Sequence, residues 1–206
     1  MQIAKKDFLK RRQQLIGAMD ENSIAIVPAA PVRIRNRDAE YAFRQSSDFY
    51  YLSGFAEAEA VIVLIPGREH GESLLFCKEK DAEYERWNGA VAGPGGAISQ
   101  YLFDDAFPID DIDDILPGLL EGKQRVYYSM GLDEKFDRHV MEWVNVIRSK
   151  VRSGAKPPGE FVALEHTLHD MRLYKNAAEI KVMRRAAQIS AEAHCLAMQT
   201  CQPGMF

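Results

Sequence analysis

The sequence predicts an α/β fold, a mixed sheet of about five or six strands flanked by helices, with one protruding C-terminal helix. Three observations support this class. Short, mostly β-branched apolar runs that stop at proline or glycine are typical of buried strands. Stretches with apolar residues every three or four positions are typical of amphipathic helices. The last such stretch, which begins at Asn176, has no later element to pack against in the 206 residues.

Composition narrows the functional class. With 47% hydrophobic and 27% charged residues, the chain suits one globular domain with an appendage. The net charge of −4 disfavours a general nucleic-acid binder. We expect no membrane span, because no apolar run is long enough, and no secretory leader over Met1–Asp7. The chain has three cysteines, an odd number, and none of them forms a CxxC motif. Cys77, Cys195 and Cys201 are therefore predicted to be reduced thiols in a cytoplasmic protein.

The chain opens with a predicted amphipathic helix over Lys5–Met19. Its apolar face consists of Phe8, Leu15, Ile16 and Met19, and its basic residues Lys10, Arg11 and Arg12 are expected mostly elsewhere. The apolar run Ile24–Val27, which stops at Pro28, predicts a buried strand.

Three arginines alternate in the next segment. In an extended chain Arg33, Arg35 and Arg37 would share one side. They could bind an anion or nucleic acid, or lie in a solvated loop balanced by Asp38 and Glu40. The solvated loop is favoured, because no aromatic residues are interleaved with the arginines.

The chain is organised around an aromatic segment, residues 41–55. We expect a strand over Asp48–Ser53, since aromatic residues at this density specify a core or an interface. Arg44 and Asp48 would form an internal charge pair, the alternative being a solvated Arg44.

Two further strands are predicted over Val61–Ile65 and Ser73–Cys77. With Asp48–Ser53 they should form an antiparallel meander. A short helical turn follows over Asp81–Trp87. The segment Gly89–Gly96 has neither phosphate-loop glycine pattern and is interpreted as a mobile surface loop.

The second half alternates helix and strand. An acidic run around Asp110–Asp114 lacks the glycine and closing glutamate of a calcium loop, and its apolar spacing predicts the start of a helix. A strand is expected over Arg125–Ser129 and a long helix over Asp133–Val151. Asn176 and Glu179 match a capping box for the last helix, which should run to Met198. Because this helix has no partner, we expect that the natural protein continues.

The residues themselves reveal no catalytic constellation. His166 and His169 form the sequence's HxxH, without the glutamate of a zincin motif. His194 and Cys195 are neighbours on a helix and point about 100° apart, so they do not form a nucleophile–base pair. No Gly-x-Ser-x-Gly elbow occurs.

Two runs carry a family resemblance. The residues Glu40-Tyr41-x-Phe43-Arg44-Gln45-x-Ser47-Asp48-Phe49-Tyr50-Tyr51-Leu52-x-Gly54-Phe55 resemble the N-terminal domain of bacterial Xaa-Pro aminopeptidases, the aminopeptidase P family. The run His169–Ile180 resembles the family's junction into its catalytic domain. Tyr41, Arg44, Asp48, Tyr51 and Gly54 would be the structural motif of the first run.

The resemblance implies a ribonuclease-H-like domain over residues 1–175 and, over 176–206, the first helix of a truncated "pita-bread" catalytic domain. The family releases the residue that precedes proline from a peptide's N-terminus, with two manganese ions bound by two Asp, one His and two Glu. None of those ligands matches a position here, so this chain is expected to bind no cofactor and to be inactive alone.

In the family this domain assembles the oligomer and walls the substrate entrance of a neighbouring subunit. Trp87 and, with a weaker match, Arg152 correspond to entrance residues; otherwise Trp87 is a packing aromatic and Arg152 a helix-terminal cation. The partners implied are peptides with proline in second position and copies of the same chain, with no nucleic acid or membrane. The alternatives are a stand-alone interaction domain without peptidase activity, or the N-terminal domain of a prolidase.

Overall fold

The computed structural model describes residues 3–205 as a layered α/β structure. The helices are α1 (Lys5–Ala18), α2 (Ser47–Ser53), α3 (Ala82–Asn88), α4 (Gly93–Tyr101), α5 (Ile112–Leu120), α6 (Glu134–Ser149), α7 (Leu164–Leu173) and α8 (Ala177–Thr200). The strands are β1 (Ser23–Pro28), β2 (Ile34–Asn36), β3 (Ala39–Glu40), β4 (Val61–Leu64), β5 (Ser73–Cys77), β6 (Asp105–Pro108), β7 (Arg125–Tyr127) and β8 (Glu160–Val162). Short 3₁₀ turns precede α5 at Ile109–Asp111 and follow α6 at Val151–Ser153.

Six strands form one mixed sheet in the order β6-β5-β4-β1-β7-β8. β4 runs antiparallel to its neighbours β1 and β5, and the other pairs are parallel. The predicted class of a five- or six-stranded mixed sheet with flanking helices is therefore confirmed. Five strands point the same way, so their carboxyl ends share one edge of the sheet.

Both faces of the sheet are covered. Along β1, Ala25 and Val27 face a core shared with α1, α2, α4 and α7, whereas Ile24 and Ile26 face a core shared with α5 and α6. Strands buried on both faces need apolar residues throughout, which is why β1 and β4 are continuous apolar runs. The same continuity made these two strands predictable from sequence.

Helix starts follow their capping residues. Asp81 accepts hydrogen bonds from the backbone N–H of Glu83 and Tyr84 at the start of α3. At the start of α6, Asp133 accepts hydrogen bonds from the backbone N–H of Lys135 and Phe136. At α8 both halves of the predicted Asn176–Glu179 capping box are present. Each of these helices begins within one residue of the predicted position.

The predicted strand over Asp48–Ser53 is wrong, because these residues form α2. Phe49 and Leu52 lie three positions apart on its buried side, and Gly54 ends the helix in the left-handed conformation at φ 65°. That spacing and glycine cap are helix signals, which outweigh the β-preference of the aromatic rings. The predicted antiparallel pairing of β4 with β5 is confirmed. The third antiparallel strand is β1, which pairs with β4 in place of the predicted Asp48–Ser53 strand.

The prediction of a mobile loop over Gly89–Gly96 is wrong in its second half, because α4 begins at Gly93. Gly93 and Gly96 are buried there. A Cβ on Gly93 would lie 2.9 Å from Cγ of Lys80, and the φ of Gly93 is +66°. These glycines therefore permit close packing rather than mobility.

The arginine-rich segment forms a small β2–β3 hairpin. Arg33, Arg35 and Arg37 are all exposed, as either interpretation of the segment required. Among the described residues, no helix is long and apolar enough to cross a membrane.

Candidate functional site

The aromatic segment is anchored by Gln45, whose side chain is buried. Its Oε1 accepts hydrogen bonds from the backbone N–H of Ala30 at 2.7 Å and of Ser46 at 2.9 Å. Its Nε2 donates to the backbone oxygen of Glu57 at 2.7 Å. One buried amide therefore ties the segment to the end of β1 and to the chain that enters β4, which satisfies backbone groups that would otherwise lack partners.

Gly54 lets α1 and α2 pack closely. A Cβ at Gly54 would lie 2.6 Å from the Phe8 ring of α1. The same ring stacks edge-to-face on Tyr50, with centroids 5.9 Å apart. Gly54 thus has a packing role as well as its left-handed backbone.

The predicted Arg44–Asp48 pair does not form. Asp48 is paired instead with Arg172, near the end of α7. Arg44 is exposed, which agrees with the alternative of a solvated residue. Asp48 lies in the first turn of α2, where it faces α7 rather than the preceding loop. The prediction paired Asp48 with a residue close in sequence, whereas its partner Arg172 lies 124 positions further along the chain.

Tyr51 of α2 contacts α1 and α7, and through Arg11 it is linked to α8. Its hydroxyl donates to the backbone oxygen of Met171 at 3.1 Å. The guanidinium of Arg11 lies 4.1 Å from the ring centroid of Tyr51 and donates to the Tyr51 backbone oxygen. Arg11 also pairs with Glu179 in the first turn of α8, at 3.0 Å. Burial raises the pKa of the Tyr51 phenol, so it stays a neutral hydrogen-bond donor at neutral pH.

The expectation that Arg11 and Arg12 lie mostly off the apolar face of α1 is wrong, since both are buried. Arg12 donates to the backbone oxygens of Leu52, Tyr101 and Leu102, and its guanidinium lies 4.0 Å from the Phe103 ring centroid. Burial lowers its pKa to about 10, so it remains charged at neutral pH. Arg12 follows Phe8 by four positions, and this helical spacing could have indicated that it is buried.

A groove of about 870 Å³ lies between the aromatic segment and the start of α8. Its ionisable lining consists of Arg11, Arg44, His169, Arg172 and Lys175, with Glu179 as the acid among them. Its apolar lining includes Phe43, Tyr50, Tyr51, Leu173, Val182 and Met183. The motif residues Arg44 and Tyr51 are therefore brought together there with the junction run.

The two candidate entrance residues lie at opposite edges of the sheet. Trp87 is 81% exposed near the end of α3, which follows the carboxyl end of β5. Arg152 is exposed in the 3₁₀ turn after α6. The chain after that turn joins the amino ends of β7 and β8, where Gly159 donates to the backbone oxygen of Gln124. Tyr41 is exposed beside the hairpin.

No candidate metal centre is found within residues 3–205, where no three His, Cys, Asp or Glu side chains come together to hold an ion. His166 and His169 are both exposed on α7. Cys77 is buried with its pKa raised by burial to about 12, and Cys195 and Cys201 are exposed on and after α8. These donor sets do not fit a two-manganese site.

Comparison with known proteins gives the class of this domain. The family model described as "Aminopeptidase P, N-terminal domain" matches residues 8–128. The chain is 38% identical over 206 residues to the Xaa-Pro aminopeptidase of Escherichia coli, covering 100% of this chain and 47% of that protein. It is 31% identical to the Haemophilus influenzae Xaa-Pro aminopeptidase, covering 99% and 45%. The chain belongs to the aminopeptidase P N-terminal domain family.

Solved structures agree in fold. The structure of Pseudomonas aeruginosa aminopeptidase PepP matches with a TM-score of 0.97 and 62% identity, covering 100% of this chain and 46% of that one. Aminopeptidase P from E. coli, in its low-pH form, matches with a TM-score of 0.95 and 37% identity, covering 100% and 47%. The chain therefore spans about half the length of the relatives it matches.

Proposed function

We propose that this chain is the non-catalytic N-terminal domain of a manganese-dependent Xaa-Pro aminopeptidase, which releases the residue before proline from peptides. The observation that carries the proposal is similarity along the whole chain to about half of each of several Xaa-Pro aminopeptidases. The two manganese ions and their five ligands would belong to the part of those relatives that this chain does not span. Three cysteines without disulfides among the described residues are consistent with a cytoplasmic setting.

The domain boundary is proposed at Asn176, where the capping box starts α8. Residues 1–175 would be the N-terminal domain, and residues 176–206 would begin the catalytic domain. In the described α8 no residue is buried, although Ile180, Met183, Ile189 and Leu196 are large and apolar. The groove beside its first turns has an apolar and basic lining, which suits an interdomain contact.

Trp87 is proposed to wall the substrate entrance of a neighbouring subunit in a homo-oligomer. Its 81% exposure suits a contact outside its own domain, because a packing aromatic would be covered. Arg152 is proposed for the same role at the opposite edge of the sheet. If both residues act, they face different surfaces.

A stand-alone interaction domain is the second candidate, and one observation favours it. The uncovered apolar residues of α8 would then bind a separate partner protein. A prolidase N-terminal domain remains the third candidate, and relatives named Xaa-Pro aminopeptidase weigh against it.

The proposal is tested by peptidase assay with added Mn²⁺ on an Xaa-Pro-Yaa tripeptide. We expect no turnover by residues 1–206 and clear turnover by the full-length protein. In the full-length protein Trp87→Ala should raise KM by about tenfold, equivalent to roughly 1.4 kcal/mol of lost binding. Val146→Ala, which removes another exposed apolar side chain, serves as the control. Robust turnover by residues 1–206 would show that the domain is catalytic after all.

A further inference from the structure

The helix that carries Trp87 is held almost entirely by polar contacts. No residue of α3 is buried. On one side, Lys78 donates to the hydroxyl of Tyr84 at 3.0 Å and pairs with Glu59 at 2.7 Å. A helix without buried side chains has little hydrophobic stabilisation, so its position depends on these few contacts.

Two carboxylates hold the other side, where the chain leaves α3. Glu85 Oε1 accepts a hydrogen bond from the backbone N–H of Val91 at 3.0 Å. Glu57 Oε1 accepts one from the backbone N–H of Ala92 at 2.9 Å. The Glu85 contact is internal to residues 81–92, which we name the Trp87 segment. The Glu57 contact instead reaches from outside the segment.

Glu57 is itself fixed to the body of the domain. Its backbone oxygen accepts from Nε2 of the buried Gln45, which anchors the aromatic segment to the end of β1. One path from the sheet to the Trp87 segment therefore runs through Gln45, Glu57 and the backbone of Ala92, whose side chain also packs against the core. An ionised carboxylate is a stronger acceptor for this backbone N–H than a protonated carboxyl group, because charge-assisted hydrogen bonds are stronger than neutral ones.

We propose that Glu57 is a positioning residue for Trp87. The ionised carboxylate of Glu57 holds the Trp87 segment in place, and its protonation loosens that hold. The importance of this for catalysis rests on the proposed function of Trp87 at a substrate entrance. The mechanical link between Glu57 and Trp87 does not depend on that function.

Charges around Glu57 set the pH at which the link weakens. Burial raises the pKa of Glu57, the Ala92 N–H opposes that rise, Glu85 adds to it, and Lys80 opposes it. The thiol of Cys77 and the phenol of Tyr101 also face this carboxylate, and both stay neutral because their own pKa values are raised. As pH falls through this raised pKa, Glu57 loses its charge and its bond to Ala92 weakens.

The raised pKa of Glu57 also predicts how its replacement should affect the stability of the domain. An acid whose pKa is raised by folding makes its charged form unfavourable in the folded state. A neutral replacement at neutral pH should therefore leave global stability unchanged or slightly higher, while it loosens the Trp87 segment. A purely structural residue would not divide the two effects in this way.

Time-resolved fluorescence anisotropy of residues 1–206 tests the proposal. Trp143 is 3% exposed and Trp87 81%, and the signal lost in Trp87→Phe belongs to Trp87. In the unsubstituted chain, the fast nanosecond component of Trp87 should grow as pH falls, with a midpoint above the ordinary glutamate pKa of about 4.3. In Glu57→Gln this component should already be large at pH 7 and its pH dependence should be lost.

A matched control is available at Glu72, which also accepts a backbone N–H, from Gly67 at 2.7 Å, in a different turn. Glu72→Gln should leave the Trp87 signal and its titration unchanged. The proposal is overturned if Glu57→Gln keeps the fast component and its titration, or if Glu72→Gln alters them equally. Thermal unfolding of both variants checks that the domain remains folded.

Kinetics of the full-length protein then separate the Glu57–Trp87 link from the proposed function of Trp87 at a substrate entrance. If Glu57 and Trp87 act together at an entrance, Glu57→Gln should raise KM and leave kcat near its original value, and Trp87→Ala should show the same pattern. An anisotropy change without any kinetic effect of Trp87→Ala would refute the entrance function and leave the Glu57 link intact.

Discussion

The helices α6 and α8 have similar sequence patterns and different surroundings. Both show apolar residues at helical spacing. α6 buries Val140, Trp143, Val144 and Ile147 against the sheet, whereas α8 buries none of its residues in the described structure. The contrast teaches that periodicity predicts a helix and its apolar face, and that only the rest of the fold decides whether this face is covered.

The strongest way to test this contrast is a matched pair of isoleucines. Ile147 on α6 is 2% exposed and Ile189 on α8 is 51% exposed. Ile147→Ala should lower the free energy of unfolding by about 2–5 kcal/mol, because it leaves a cavity in the core. Ile189→Ala should change it by less than about 0.5 kcal/mol. Urea unfolding of residues 1–206 measures both, and equal losses would mean that α8 is packed after all.

A smaller effect is expected at the ion pair that joins α2 to α7, the last covered helix before α8. Asp48→Asn should destabilise by about 1–2 kcal/mol, since the Asp48 side chain is only 17% exposed and Arg172 would lose its charged partner. Arg138→Ala breaks a pair whose side chains are 68% and 91% exposed, and about 0.3–0.5 kcal/mol is expected. Matching losses for the two variants would argue that the Asp48–Arg172 contact is a surface pair.

Removing α8 altogether should also have only a modest effect. A chain of residues 1–175 should still unfold cooperatively, with a loss of about 1–2 kcal/mol, because it gives up chiefly the Arg11–Glu179 pair while Arg11 keeps its hydrogen bond to Tyr51. Thermal unfolding followed by circular dichroism measures this. A broad, non-cooperative transition would contradict both the predicted domain boundary and the contrast between α6 and α8.

Sequence reasoning succeeded where local chemistry dominates. The buried strands β1, β4 and β5 are apolar runs bounded by turn residues, and α3, α6 and α8 begin beside capping side chains. It failed at α2, where the aromatic residues suggested a strand although Phe49, Leu52 and Gly54 have helical spacing and a helix cap. Two competing local signals are present there, and the helical spacing and glycine cap are the stronger.

The site was less predictable than the fold. Two predicted motif residues of the aromatic segment, Arg44 and Tyr51, line the groove. The partners of its charges were not found, because Arg172 and Glu179 are distant in sequence from Asp48 and Arg11. Glu57, which meets the N–H of Ala92 across 35 positions, has no sequence signal that distinguishes it from any surface glutamate.

The sequence by itself determined the α/β class, most element types and the family, since apolar period, caps and motif residues act over a few neighbouring positions. Only the tertiary structure decided that Arg12 is buried, that Asp48 faces Arg172, and that Trp87 and Arg152 lie at opposite edges of the sheet. The physical reason is that burial and charge pairing depend on distances in space. Folding brings positions together that no local pattern in the chain relates.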